Sequence, residues 1–116
     1  MAEAKIWHNP RCSTSRLALE YLDEKGVEVE IFKYMDEGID PAELAGVIKM
    51  SGHPLQDFVR TFEHEYRELG LHEKNLTIDE FAEIAAKYPK LLQRPIIIKD
   101  GKAVLARPTA KIDAVL

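Results

Sequence analysis

The chain has 116 residues, a single cysteine, and 16 Lys and Arg against 20 Asp and Glu. This length corresponds to one domain that buries roughly two-thirds of its unfolded surface, and one cysteine excludes both an intramolecular disulfide and a zinc site built on two thiolates. The net charge of −4 argues against non-specific binding to nucleic acid or to an anionic membrane, since both need a basic face.

The first third of the sequence predicts a strand, a helix and a second strand. Residues 5–8 are the first strand candidate, and hydroxyl residues at 13–15 favour a helix that begins near residues 12–15 and stops at Gly26. Between residues 27 and 31, two valines and an isoleucine alternate with glutamates, which is the period of a strand with one face exposed to water.

Two helices in the middle of the chain are marked by their first residues. Asp40 is a capping acid, followed by Pro41 at the first helical position and by a glutamate at the third. Residues 77–80 form a capping box, and the helix that follows must end before Pro89. Its apolar stripe consists of Phe81, Ile84, Ala85 and Tyr88.

A further helix is predicted over residues 55–62. Leu55, Phe58, Val59 and Phe62 are spaced i, i+3, i+4 and i+7, as on the buried face of a helix. The same helical wheel places Arg60 on the opposite face, so the pattern alone predicts a solvated arginine.

The last quarter of the chain changes to the periodicity of strands. Ile96, Ile97 and Ile98 form a short apolar run typical of a buried strand, and Asp100 with Gly101 indicates a hairpin turn into residues 102–106. A helix over residues 109–115 would close the domain. This order of elements predicts an α/β fold in which helices pack on a mixed sheet.

Signals for export or membrane insertion are not evident in the sequence. No apolar run approaches the roughly 18 residues of a membrane span, and residues 1–7 lack the apolar core of a signal peptide. We therefore expect a cytoplasmic protein whose thiol stays reduced, with a monomer as the default state.

Cys12 lies in a turn after a strand, at the N-terminal end of a helix. Such an end carries unpaired N–H groups and about half a positive charge, which stabilise a thiolate or a bound anion, and Arg16 adds positive charge nearby. These surroundings lower a cysteine pKa from about 8.5 to roughly 3.5–7.5. Ser15 stands where a dithiol motif would have its second cysteine, so any adduct on Cys12 needs an external thiol to resolve it.

Other polar residues allow two readings from the sequence alone. His8 either accepts a proton or a hydrogen bond from Cys12 or simply ends a strand. Arg94 precedes a buried strand, where a charged side chain usually needs an anionic partner. Arg107 repeats the Arg-Pro pair at the end of the next strand. The two arginines could therefore flank one cleft. The remaining histidines, at 53, 64 and 72, are too scattered to predict a metal site.

Residues 8–16, His-Asn-Pro-Arg-Cys-Ser-Thr-Ser-Arg, resemble the active-site segment of the glutaredoxin-linked arsenate reductase family. Further motifs of that family match in the same order from about residue 6 to residue 116: Arg60, Tyr66 with Leu69-Gly70-Leu71, Arg94-Pro95-Ile96 and Arg107-Pro108. The resemblance implies a thioredoxin-like (glutaredoxin-like) fold over residues 1–116, with a helical insertion over about residues 40–88. Pro95 is then expected to be a cis-proline beside the cysteine loop.

The resemblance also implies roles for individual residues. The nucleophile falls on Cys12, and the oxyanion-binding arginines fall on Arg60, Arg94 and Arg107, which reverses the expectation of a solvated Arg60. Forked guanidinium groups suit a tetrahedral oxyanion such as arsenate. His8 would tune Cys12, with Ser15, Arg16 and Pro95 in support.

The implied reaction is the reduction of arsenate to arsenite. The Cys12 thiolate attacks arsenic(V), glutathione supplies the second thiol, and glutaredoxin resolves the mixed disulfide. Glutathione is then a co-substrate and no cofactor is tightly bound.

Two other functions fit the same scaffold. A monothiol thiol-disulfide oxidoreductase would need mainly the cysteine loop, whereas an oxyanion site needs all three arginines. A non-enzymatic interaction module of this fold would typically carry a Cys-x-x-Cys switch, which Ser15 removes here.

Overall fold

The computed structural model describes residues 2–116 and contains one four-stranded mixed sheet. The strands are β1 (Ala4–Trp7), β2 (Val29–Phe32), β3 (Ile96–Lys99) and β4 (Lys102–Leu105), in the spatial order β2-β1-β3-β4. β1 runs parallel to β2 and antiparallel to β3, and β3 is antiparallel to β4. The predicted mixed α/β sheet is therefore confirmed.

Within residues 2–116, five α-helices accompany the sheet. Helix α1 (Ser13–Glu24) connects the two parallel strands β1 and β2. The helices α2 (Tyr34–Glu37), α3 (Pro41–Ser51), α4 (His64–Glu68) and α5 (Ile78–Lys87) lie in the sequence between β2 and β3. Of these, α3, α4 and α5 fall within residues 40–88, where the insertion is expected. No helix among residues 2–116 is long and apolar enough to cross a membrane.

The capping signals for α3 and α5 are both confirmed. Asp40 accepts a hydrogen bond from the Ala42 N–H, and Pro41 is the first helical residue. The Thr77 side chain accepts from the Glu80 N–H while the Glu80 carboxylate accepts from the Thr77 N–H, which completes the capping box.

The sheet has an apolar core on each face because neighbouring strand residues point in opposite directions. Trp7 and Ile96 pack against α3 and α5, whereas Ile6 and Ile97 pack against α1 and the C-terminal segment. All four side chains are fully buried. The continuous apolar run of β3 follows from this burial on both faces, and β1, which leads into the cysteine loop, is held from two sides.

The prediction of a helix over residues 55–62 is wrong. Residues Leu55–Phe58 form a 3₁₀ turn, after which Val59 is extended and pairs with Leu92. The Arg60 N–H donates to the Leu91 carbonyl over 2.8 Å. Pairing with this distant segment replaces the next helical turn, and Phe62 lies exposed at the surface.

Several element boundaries also differ from the sequence predictions. The first strand ends at Trp7, and the second begins at Val29 as an edge strand on which Ile31 is exposed. The C-terminal segment Thr109–Ala114 is a 3₁₀ helix. Tyr88 caps the end of α5 and is partly exposed, so it does not complete the predicted buried stripe.

Candidate active site

The cysteine loop, residues 8–12 between β1 and α1, is held by hydrogen bonds to its own backbone groups. Cys12 is the extended residue before α1, its N–H donates to the Asn9 carbonyl over 3.0 Å, and its carbonyl accepts from the Arg16 N–H over 3.0 Å. The Asn9 side chain accepts from the Arg11 N–H, and the Arg16 guanidinium donates to the Pro10 carbonyl over 2.8 Å. The half-buried thiol is therefore held at the N-terminus of α1.

Ser15 is fully buried beneath this loop and joins it to the end of β1. Its Oγ accepts from the Asn9 N–H over 3.1 Å and lies 2.7 Å from the His8 Nδ1. The pKa of His8 is lowered by burial, and further by the charges of Lys33 and Arg16, so the ring is neutral at pH 7. We infer that the Ser15 hydroxyl donates to Nδ1, which leaves the ring proton on Nε2.

His8 therefore acts on the loop through Ser15. The sequence left open whether His8 bonds the thiol or ends a strand, and the structure places it after β1 with its Nδ1 on the serine. Its predicted tuning of Cys12 stays a prediction.

The pKa of the Cys12 thiol is lowered from its ordinary value, as the sequence predicts. Burial opposes ionisation, but the Ser15 and Thr14 N–H groups and the Arg94 guanidinium favour the thiolate and outweigh it. The two N–H groups belong to the first turn of α1, so the helix N-terminus contributes directly.

Arg94 faces the thiol from the segment before β3. Its Nε and Nη1 atoms are buried and have no hydrogen-bond partner among residues 2–116. The Arg94–Pro95 peptide bond is cis, as expected for this position. Arg94 also lines a cleft of about 580 Å³, whose other lining residues are Asn9, Pro10, Arg11, Met35, Asp36, Glu63 and Lys90.

Arg60 is buried, with 9% of its surface exposed, so the solvated position predicted by the helical wheel is wrong. Its Nε donates to Glu63 over 3.1 Å and its Nη1 donates to the Gln93 side-chain oxygen over 2.6 Å. The Phe62 ring covers the guanidinium at 4.4 Å. The turn after Val59 thus directs Arg60 inward, as the family resemblance implies.

Arg107 joins the site through the backbone of Arg94. Its Nη1 donates to the Arg94 carbonyl over 2.8 Å, so the arginines that flank the β3–β4 hairpin do lie side by side. Arg107 lines a second cavity of about 270 Å³, together with His53, Asp57, Gln93, Leu105 and Lys111.

Tyr34 is a site residue that the sequence reasoning missed. It is fully buried, its hydroxyl has no partner among the described residues, and the charges of Arg94, Arg60 and Cys12 all act on it. Burial raises its pKa to about 12. A signal for it existed, because the carboxyl ends of the parallel strands β1 and β2 meet at one edge of the sheet.

The side chains that usually bind metal ions do not cluster in the part of the chain that the structure describes. Among residues 2–116, no three His, Cys, Asp or Glu side chains are placed to hold a metal ion. The site offers instead a thiol and a set of N–H and O–H donors, which suits an anion.

Known proteins have related sequences and the same fold. A sequence model of the ArsC family matches residues 7–115. An arsenate reductase from Neisseria meningitidis is 43% identical over 117 residues, 100% of each chain, and the uncharacterized protein YfgD from Escherichia coli is 37% identical over 95% of this chain and 93% of its own. The structure of an arsenate reductase from Vibrio cholerae matches with a TM-score of 0.92 at 31% identity and covers 99% of this chain and 98% of its own. The chain therefore belongs to the ArsC family and has its thioredoxin-like fold.

Proposed function

We propose that this chain is an arsenate reductase that uses Cys12 as its nucleophile. The observation that carries the proposal is the pairing of a thiol of lowered pKa with Arg94, whose Nε and Nη1 are buried and unpartnered. Two of the relatives described above bear the name arsenate reductase.

Arsenate binding would use the free N–H groups of Arg94 first. These groups can donate hydrogen bonds to the oxygens of a tetrahedral anion. Arg60 would bind the anion after its hydrogen bond to Glu63 breaks. Arg107 would hold Arg94 in place through its hydrogen bond to the Arg94 carbonyl. The positive charges offset the repulsion between the thiolate and the approaching anion.

In the first step the Cys12 sulfur forms a bond to arsenic(V) while one As–O bond breaks. The thiolate, H₂AsO₄⁻ and one proton give a Cys12–S–AsO₃H⁻ adduct and water, and arsenic is not yet reduced. Glutathione then attacks the Cys12 sulfur. Its thiol and the Cys12 sulfur become a mixed disulfide, two electrons pass to arsenic, and arsenite leaves.

The missing second thiol supports glutathione and glutaredoxin as partners. Cys12 is the only cysteine of the chain, and Ser15 is buried, so the mixed disulfide must be reduced by another molecule. This cycle needs reduced thiols and no tightly bound cofactor, which suits a cytoplasmic setting.

The test is arsenate-dependent NADPH oxidation coupled through glutathione, glutaredoxin and glutathione reductase. We expect wild-type activity to be lost in Cys12→Ser and to fall strongly in Arg94→Ala. Arg67→Ala is the matched control, since Arg67 is exposed on α4. A wild-type protein with no arsenate-dependent rate contradicts the proposal, and an active Cys12→Ser variant removes the proposed nucleophile.

A second candidate function is a monothiol thiol-disulfide oxidoreductase. The engagement of Arg60 by Glu63 and Gln93 favours it, because this arginine is not free to meet an oxyanion as the protein stands. Reduction of a glutathionylated model disulfide without any arsenate-dependent rate would establish this function in place of the first.

A further inference from the structure

We propose that Tyr34 is a further substrate-binding residue, whose hydroxyl donates a hydrogen bond to an oxygen of the anion held beside Cys12. The identity of that anion as arsenate rests on the proposed function. The binding role itself rests on the placement of the hydroxyl.

Tyr34 is buried, but its hydroxyl makes no hydrogen bond to the described residues. Its ring packs against Trp7 with 6.0 Å between centroids, and the residue has no exposed surface. Its hydroxyl has no hydrogen-bond partner among residues 2–116. Buried polar groups almost always have a partner, so one is expected to come from outside the chain.

The unpartnered donors of the site lie near one another. Arg94 approaches both the Tyr34 hydroxyl and the Cys12 thiol, and its own Nε and Nη1 are also unpartnered. The Arg94 N–H groups can only donate hydrogen bonds, and the Tyr34 hydroxyl has a proton to donate. A water molecule offers few acceptor positions and brings two protons that need acceptors of their own, whereas an oxyanion offers several acceptor oxygens and so complements these donors.

The fold explains why Tyr34 reaches the cysteine loop. Tyr34 follows β2 closely, and Cys12 follows β1, which pairs with β2 in parallel. The His8 N–H donates to the Phe32 carbonyl over 2.9 Å, so the pairing continues to the end of both strands. The two residues therefore emerge at the same edge of the sheet.

The protonation state of Tyr34 suits a donor. Its pKa is raised to about 12, mainly by burial, so the hydroxyl keeps its proton at neutral pH. It therefore directs a hydrogen bond at the anion without adding a negative charge that would repel it.

The test compares Tyr34→Phe with wild type and with Tyr21→Phe. Tyr21 is a suitable control because its hydroxyl bonds Asp113, away from the cysteine loop. The measurement is the concentration of arsenate, and separately of phosphate, that halves the rate of Cys12 alkylation by iodoacetamide without glutathione. We expect this concentration to rise about tenfold in Tyr34→Phe, the scale of one hydrogen bond to a charged group, and to stay unchanged in Tyr21→Phe.

A second measurement separates binding from a structural role. Removing a hydroxyl that has no partner should leave the Tm of the anion-free protein unchanged or raise it, and the pH profile of alkylation without anion should not move. A lowered Tm in Tyr34→Phe assigns the hydroxyl a structural role and overturns the proposal. Equal protection of Tyr34→Phe and wild type, or no protection of wild type by either anion, also overturns it.

The two proposals fail in different ways. Wild-type protein that is protected by arsenate in a Tyr34-dependent manner, but shows no arsenate-dependent NADPH oxidation, retains the role of Tyr34 and loses the reductase assignment.

Discussion

Glu63 accepts a hydrogen bond from the Arg60 Nε over 3.1 Å, and the side chains of both residues are largely shielded from water. Glu63 also lines the cleft that Arg94 and residues 9–11 of the cysteine loop line. The carboxylate therefore occupies the arginine that an incoming oxyanion would use, and an anion that binds Arg60 must displace it.

Replacing Glu63 by glutamine should tighten arsenate binding. The neutral amide competes less well for Arg60, and a sheltered ion pair of about 1 kcal/mol corresponds to about a fivefold lower KM for arsenate. Steady-state kinetics of Glu63→Gln measure this change. Glu73→Gln is the control, because Glu73 is exposed and contacts His72 instead. An unchanged or higher KM would show that Glu63 does not compete with the substrate.

Alkylation of Cys12 should report the lowered pKa of its thiol. Because the folded thiol ionises at a lower pH than a free one, its rate with iodoacetamide at about pH 6.5 should exceed that of free cysteine. Arg94→Ala should move the pH profile upward, since Arg94 stabilises the thiolate. A wild-type profile that tracks the ordinary value of about 8.5 would contradict the role of the helix terminus and of Arg94.

Removing the Ser15 hydroxyl should destabilise the protein. Ser15→Ala leaves the buried Asn9 N–H without its acceptor and the His8 Nδ1 without its partner, which costs about 1–3 kcal/mol of unfolding free energy. Urea unfolding measures this loss. Ser13→Ala, at an exposed position of the same helical turn, should change little. Equal stability of the two variants would show that the hydrogen bonds of Ser15 do not hold the loop.

The lowered pKa of His8 predicts that stability depends on pH. The unfolded state, in which histidine ionises near 6.5, binds more protons than the folded state, so stability rises with pH. The contribution is complete above about pH 6.5 and is lost as the pH falls through the lower folded value. Urea unfolding of His8→Gln should show a flatter profile between pH 5 and about pH 8 than wild type. A His8→Gln profile as steep as that of wild type would contradict this prediction.

The parts of the fold that the sequence predicts are those with local signals. The capping box at Thr77 and the placement of Cys12 before α1 depend on residues within one helical turn, so the sequence contains their cause. The short strands were recognisable because each is apolar on at least one face.

The failures involve contacts between distant segments. Arg60 turns inward because Val59 pairs with Leu92, which no helical wheel of residues 55–62 can contain. Tyr34 belongs to the site only because two parallel strands end at the same edge. The family resemblance predicts that Arg60 belongs to the site. The hydrogen bond from its guanidinium to Glu63 is visible only in the structure.

The burial of Ser15 bears on how this chain could acquire a second redox cysteine. A Ser15→Cys change would give the Cys-x-x-Cys spacing in a single substitution. The new sulfur would replace a hydroxyl that holds His8 and the Asn9 N–H, and a thiol is a weaker donor and acceptor than a hydroxyl. The same change would loosen the loop that presents Cys12. The need for an external thiol is thus linked to the packing beneath the loop. A chain that formed its own disulfide at this position would need compensating changes around His8.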